Sequence, residues 1–166
     1  MKLRYKIVSS ILGVLAVAIT VLAISLSYTS ACGPAPELSG EAELMKAIRY
    51  RCYGSPEVLE FADVEKPIPA DAEVLVRIHA ASVNPLDWHY MRGSPYFMRL
   101  ASGIGIPGNT RMGVDFSGTV EAVGKNVKLF KPGDEVFGGG SGAFAEYLTI
   151  HEDRGLTLKP DNMTFE

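Results

Sequence analysis

The pattern of apolar and polar positions divides the chain into two unlike parts. Residues 7–26 form an apolar run of 20 positions without a charged side chain. As a helix rising about 1.5 Å per residue, this run spans roughly 30 Å, the thickness of a bilayer's hydrocarbon core. From residue 45 onward, apolar and polar residues alternate, and turn residues interrupt them at short intervals. The pattern therefore predicts a membrane anchor at residues 1–28 and a mostly β domain at residues 45–166.

Three interpretations of the N-terminal run remain open. The first is a single-pass anchor. The second is a cleaved signal peptide, which fits this run less well because the run exceeds the usual apolar length of about 7–15 residues. The third is a lipoprotein modified at Cys32, since Thr29 to Cys32 approach a lipobox, although Thr29 stands where Leu is usual. Lys2, Arg4 and Lys6 favour a cytoplasmic N-terminus, but three charges leave the side of the membrane uncertain.

Residues 29–44 are rich in Gly, Pro, Ala and Glu and have no apolar period. Such a composition is typical of a spacer between an anchor and a folded domain. We expect the domain to begin at Met45.

Short strands dominate the prediction for the domain. The alternating segments are residues 47–52, 58–64, 73–83, 114–123, 135–137 and 143–150. Six or seven short strands joined by Gly/Pro turns favour an all-β barrel or sandwich. His79 and His151 fall on these strands and are expected to be structural.

One short helix is predicted between Asn84 and Gly93. Asn84 can cap it, Pro85 suits the first helical position, and Asp87 completes a capping box. Gly93 is suited to ending it. Residues 94–111 have no clear period and are expected to form a long loop, a common location of functional residues.

The charge and the cysteine count exclude several classes of protein. A formal net charge of −3 over 166 residues gives no basic surface for nucleic acid. Two cysteines, Cys32 and Cys52, are too few for a disulfide-stapled miniprotein or a four-cysteine zinc site.

Two glycine-rich segments resemble nucleotide-binding loops but lack the required context. Residues 103–108 match G-x-G-x-x-G, a fingerprint that has meaning only between a strand and a helix. No strand is predicted before it, Pro107 interrupts it, and polar residues follow. Residues 138–142 are most simply a flexible hairpin connection. The sequence thus predicts no dinucleotide fold within these residues.

Residues 45–166 resemble the N-terminal, GroES-like domain of the medium-chain dehydrogenase/reductase superfamily, in its zinc-independent quinone oxidoreductase branch. The motifs that carry the resemblance occur in the family's order: MKA at 45–47, GSPEVL at 54–59, EVLVR at 73–77, ASVNPLDW at 81–88, GVDFSGTVE at 113–121, FKPGDEV at 130–136 and GAFAEY at 142–147.

The resemblance implies a GroES-like barrel and hydride transfer from NADPH or NADH to a small-molecule quinone, activated alkene or carbonyl. It places Asn84, His89 and Tyr96 as catalytic candidates and Asn84 and Tyr90 against the cofactor. The alternative for Asn84 is a helix cap without a catalytic role, and the alternative for His89 is a position on a solvated helix face. Zinc is not expected, because the ligand positions of the zinc-dependent branch are occupied by Asn84 and Val114.

The family's Rossmann domain, which holds most cofactor contacts, is not matched by any part of these residues. Thr164 resembles the start of the helix that leads into it. We therefore expect this part alone to be inactive, and leave open a homodimer of the full-length form. A membrane-tethered binding or structural module without catalysis is the alternative function.

Overall fold

The computed structural model describes residues 2–166, with side chains from Arg4 onward. Its helices are α1 (Lys2–Ser27), α2 (Pro85–Arg92) and α3 (Arg99–Ser102), with 3₁₀ turns at Pro56–Val58 and Tyr96–Met98. Its strands are β1 (Leu44–Tyr50), β2 (Leu59–Glu65), β3 (Glu73–Ser82), β4 (Asp115–Val123), β5 (Glu135–Gly139), β6 (Tyr147–His151) and β7 (Leu156–Leu158).

The main core lies on an antiparallel five-stranded sheet in the order β6-β3-β4-β5-β7. The alternating residues of β3 and β4 place Val74, Val76 and Val120 on its buried face, where Val136 and Leu148 join them. These five side chains are at most 2% exposed. Burying each contributes about 1.5–3 kcal/mol, so this cluster supports the framework on which the loops are mounted.

A second cluster joins the remaining strands to α2. β1 pairs with β2 antiparallel, with Met45 opposite Val64. Tyr50 at the end of β1 packs with Met91 of α2 and with Met112. The amide of Tyr50 donates to the carbonyl of Thr110 at 3.0 Å. These contacts hold α2 and the loop after α3 against β1.

The helix predicted between Asn84 and Gly93 is confirmed with its capping box, and Gly93 takes the left-handed conformation that ends it. The loop predicted at residues 94–111 was wrong in part, because it contains a 3₁₀ turn and α3. The predicted last strand begins only at Tyr147, and β7 was not predicted. Residues 163–166 have no regular structure, and the expected helix start at Thr164 stays a prediction.

The chain as a whole is mixed rather than mostly β, with 26% helix and 31% strand. The difference comes largely from α1, which has 26 residues. Its segment Arg4–Ser27 is long and apolar enough to cross a membrane by length and composition, and it lies at the N-terminus, as a signal sequence also would.

The start of the predicted spacer packs against the domain, contrary to expectation. The amide of Ser30 donates to the carbonyl of Gly105 at 2.9 Å, and Arg51 donates to the carbonyl of Gly33. Cys32 forms a disulfide with Cys52, with the two Cα atoms 4.7 Å apart. A disulfide-bonded Cys32 has no thiol to carry a lipid, which argues against the lipoprotein interpretation.

Candidate functional site

A cleft of about 600 Å³ lies where the second cluster meets the loops. Its walls come from the end of β1 (Tyr50), from α2 (Leu86, Asp87 and Tyr90), from residues 99–104 and 108–114, and from the glycine-rich residues 139–141. The volume is in the usual range for small-molecule sites, about 300–1,000 Å³. The cleft is therefore the candidate active site of these residues.

Asn84 is held next to the cleft by hydrogen bonds that use most of its side chain. Its side-chain Oδ1 accepts from the backbone amide of Leu86 at 2.7 Å, and its backbone amide donates to Asp87 Oδ2 at 2.8 Å. Its Nδ2 donates to Asp115 Oδ2. An amide nitrogen carries two hydrogens, so one N–H of Asn84 is left for another acceptor. Asn84 is thus a helix cap with one spare donor.

Asp87 lines the cleft and is 2% exposed. One carboxylate oxygen accepts from Asn84, whereas Oδ1 has no partner among the described residues. A buried carboxylate oxygen without a partner is costly, so such a group usually contacts water or a ligand. Sequence reasoning assigned Asp87 to the helix start alone; its burial and its unpaired oxygen are visible only in the fold.

Two tyrosines, Tyr50 and Tyr90, are among the residues that line the cleft. Tyr90 was predicted to contact the cofactor, and it lines the cleft from α2. Tyr50 was not singled out, because it is simply the last apolar position of a strand. Burial, with Tyr53 and Tyr90 nearby, raises the pKa of Tyr50 to about 12. Tyr50 therefore stays protonated at neutral pH and can donate its hydroxyl hydrogen.

Asn84, His89 and Tyr96 are not among the residues that line the cleft, although Asn84 contacts Leu86 and Asp87, which do line it. His89 Nδ1 lies 2.6 Å from the carbonyl oxygen of Ser94, and its ring stacks on Trp88 at 3.9 Å. That contact fixes Nδ1 as the protonated nitrogen and leaves Nε2 free. Tyr96 is 52% exposed, and the guanidinium of Arg99 lies 4.9 Å from its ring. Their catalytic roles stay predictions.

The guanidinium of Arg99 lies in the wall of the cleft, but its donors are already used. It is 2% exposed, and its Nε donates to the carbonyl of Gly93 at 2.8 Å. Its Nη1 donates to the carbonyls of Leu26 and Tyr28 at 3.0 and 2.7 Å. Arg99 is thus a structural cation, and Arg111 is the exposed one at the cleft.

Comparison with known proteins identifies the domain that carries this cleft. The family model described as "Alcohol dehydrogenase GroES-like domain" matches residues 70–161, more than half of the chain. The chain belongs to this family. The predicted resemblance is therefore confirmed. Five of the seven motifs that carried it lie within the matched residues, and the motifs at 45–47 and 54–59 lie on β1 and around the 3₁₀ turn before β2.

Curated relatives of this GroES-like chain include two quinone oxidoreductases. That of Sus scrofa is 40% identical over 127 residues, covering 75% of this chain and 36% of its own length. That of Pseudomonas aeruginosa is 38% identical over 125 residues, covering 74% and 36%. The chain therefore spans about a third of the length of these relatives.

Solved structures give the same similarity in three dimensions. The quinone oxidoreductase of Coxiella burnetii has a TM-score of 0.65 at 29% identity, covering 74% of this chain and 39% of its own. The quinone oxidoreductase of Escherichia coli, solved as a complex with NADPH, has a TM-score of 0.62 at 27% identity, covering 72% and 35%. The strand arrangement is thus that of the N-terminal part of these enzymes.

The donor set of this GroES-like domain does not suit a metal. Among residues 2–166, no three His, Cys, Asp or Glu side chains lie close enough together to hold one. Both cysteines are in the disulfide. Asn84 is committed to Leu86 and Asp115, and Val114 has no ligand atom.

Proposed function

We propose that this chain is the catalytic-domain part of an NADPH-dependent, zinc-independent oxidoreductase that reduces a quinone, an activated alkene or a carbonyl compound. The observation that carries the proposal is the cleft, whose lining includes the buried Asp87 together with Tyr50 and Tyr90 and whose volume suits a small molecule. Membership of the GroES-like family and the similarity to quinone oxidoreductases support it.

The residues that line the cleft suit the nicotinamide end of the cofactor. A cleft of about 600 Å³ can hold a nicotinamide ring and a small acceptor together, but not a whole dinucleotide with its substrate. The G-x-G-x-x-G residues follow α3 instead of a strand, so they do not supply the usual pyrophosphate site. We expect the remaining contacts to come from a separate nucleotide-binding domain, and this part alone to be inactive.

The bound nicotinamide would supply the hydride, and the chain's own residues would orient the acceptor and stabilise negative charge on its oxygen. Hydrogen-bond donors directed at such an oxygen contribute strongly when water is excluded. Tyr50 and Tyr90 have hydroxyls without hydrogen-bond partners among the described residues, and Asn84 has its spare N–H. These three groups are the proposed oxyanion donors. NADH is the alternative to NADPH as the source of the hydride.

We also propose that α1 is retained as a single-pass anchor and that residues 7–26 cross the membrane. Its apolar side chains are exposed along most of its length, as expected for a helix that lipid surrounds. The basic N-terminus supports a domain outside the cytoplasm, and the disulfide is in keeping with an oxidising compartment. Reduced nicotinamide cofactors are cytosolic, so the proposal leaves the side of the membrane open.

The proposed activity is tested with the native protein, immunopurified from membranes with an antibody against residues 45–166. It should oxidise NADPH only after a quinone or an enone is added, and its mass should be about twice the 17.9 kDa of this chain, as one further domain requires. A protein of 17.9 kDa that oxidises no NADPH would instead favour the non-catalytic binding module.

The role of Asn84 is tested in the same full-length protein by separating its cap from its spare donor. Asn84→Ser keeps a good helix cap but shortens the side chain and removes the amide. We expect it to leave the melting temperature nearly unchanged and to lower kcat by about 100-fold, the effect of losing one oxyanion donor. An unchanged kcat in Asn84→Ser would leave Asn84 as a helix cap only.

A further inference from the structure

An apolar patch with no exposed charge lies beside the cleft. It consists of Tyr96, Phe97, Leu100, Ile104 and Ile106, whose side chains are 50–68% exposed. Between residues 93 and 110 the only charged residue is Arg99, which is buried at 2%. A continuous apolar surface of this kind marks an interaction site more often than free surface.

This patch is attached to the end of α1. Arg99, in the middle of the patch sequence, donates to the carbonyls of Leu26 and Tyr28. On the far side of the patch, Gly105 accepts from the amide of Ser30 at 2.9 Å. The disulfide between Cys32 and Cys52 closes the connection. The end of α1 and the residues just after it are therefore held against the patch segment by these hydrogen bonds, and the disulfide ties the same segment to the domain.

We propose that the patch is inserted into the interface of the bilayer that α1 crosses, with the mouth of the cleft facing lipid. This inference rests on the proposed anchor. Because Arg99 binds the carbonyl of Leu26 directly, the patch lies within a few ångströms of the level where the apolar helix ends. Interfacial segments enter to a depth of about 5–10 Å, which this attachment allows.

The composition of the patch suits a lipid interface better than a protein partner. Tyr28 and Tyr96 are exposed at the helix end, and tyrosines concentrate where a membrane protein meets the headgroups. A folded partner would have to fit between the domain and the bilayer, at a point where the domain is hydrogen-bonded to the spanning helix itself. The geometry leaves little room for one.

The inference narrows the class of acceptor. Leu100 and Ile104 belong to the patch and also line the cleft. A molecule dissolved in the bilayer would therefore reach the cleft along apolar side chains, without crossing water. We infer that the acceptor is lipid-soluble, such as a quinone with a long isoprenoid tail or an unsaturated carbonyl compound derived from a lipid.

The test uses tryptophan fluorescence in vesicles whose phospholipids carry brominated acyl chains, which quench nearby indoles. The chain has a single tryptophan, so Trp88→Phe gives a background without indole fluorescence. In it, Phe97→Trp reports on the patch, and Ile104→Trp replaces it if the first variant does not fold. Phe61→Trp is the matched control, since Phe61 is 73% exposed on β2, away from the patch sequence.

We expect Phe97→Trp to lose about half of its fluorescence in brominated vesicles, as an interfacial indole should, and Phe61→Trp to lose almost none. If the two variants were quenched equally while the protein resisted alkaline extraction, the inference about the patch would be overturned, but the proposal that α1 is an anchor would not. Extraction of the protein by alkaline carbonate would instead overturn the anchor, and with it the proposal on which this one rests.

Discussion

Replacing Arg99 should loosen both the domain and its attachment to α1. The guanidinium is 2% exposed and forms none of the ion pairs among the described residues. Its charge is balanced by carbonyls at the ends of two helices, Leu26 of α1 and Arg92 and Gly93 after α2. The rings of Tyr53 and Tyr96 lie 4.4 and 4.9 Å from it.

Hydrogen bonds to a charged group contribute about 1.5–3 kcal/mol each, less the cost of burying the charge. Arg99→Ala would leave the carbonyls that accept from Arg99 without this donor, and the lost hydrogen bonds together should cost at least about 3 kcal/mol. We expect Arg99→Ala to lose this much, which lowers the melting temperature of a domain of this size by at least about 10 °C. Arg99→Lys should recover only part, because an ammonium cannot reach both helix ends.

The assay is thermal unfolding in detergent, with Arg154→Ala as the control. Arg154 is exposed, and its side chain makes no hydrogen bond or ion pair among the described residues, so its loss should leave the melting temperature unchanged. If Arg99→Ala melted within two degrees or so of Arg154→Ala, the clamp between α1 and the domain would be refuted.

Three further predictions concern single features. The pKa of Tyr50 is raised from 10.0 to about 12 in the folded protein, so folding keeps this phenol protonated. The free energy of unfolding should therefore fall by about 2–3 kcal/mol as the pH rises from 10 to 12. Unfolding measured over this pH range should show the loss, and Tyr50→Phe should not show it. Replacing Cys32 and Cys52, 20 positions apart, by Ser should cost about 3 kcal/mol in denaturant unfolding; alkylation of both without reductant would contradict the pairing. Gly118→Ala would place a methyl group against the carbonyl of Arg77 in β3 and should cost at least about 2 kcal/mol by thermal unfolding. Gly139→Ala should be neutral, because its methyl group would meet only Asp115 Oδ1, at an ordinary contact distance of 3.8 Å.

The parts of the fold that depend on local signals were predictable from the sequence. The alternation around Val74 and Val76 located β3, and the series from Asn84 to Gly93 located α2 with its cap. In both, the chemistry that forms the element lies within the element itself. The motifs of the family resemblance depend on the same segments, which is why that identification was also confirmed.

The parts that depend on distant contacts were not predictable. α3 has only four residues and is held by the tertiary contacts of Arg99. β7 has three residues and exists because it pairs with β5. Cys32 lies in a segment without any period, so nothing nearby indicated its pairing with Cys52. Likewise, the inclusion of Tyr50 in the cleft follows from how β1 meets α2.

The central claim, that the cleft carries out hydride transfer to a small acceptor, is tested most directly with NADPH that carries deuterium at both C4 positions of the nicotinamide. The native protein, immunopurified from membranes, would be incubated with this NADPH and a lipid-soluble enone. The mass of the product would then be measured by mass spectrometry. We predict a reduced product that carries one deuterium from the cofactor. A reduced product without deuterium, or no product from any quinone, enone or aldehyde tried, would contradict the claim.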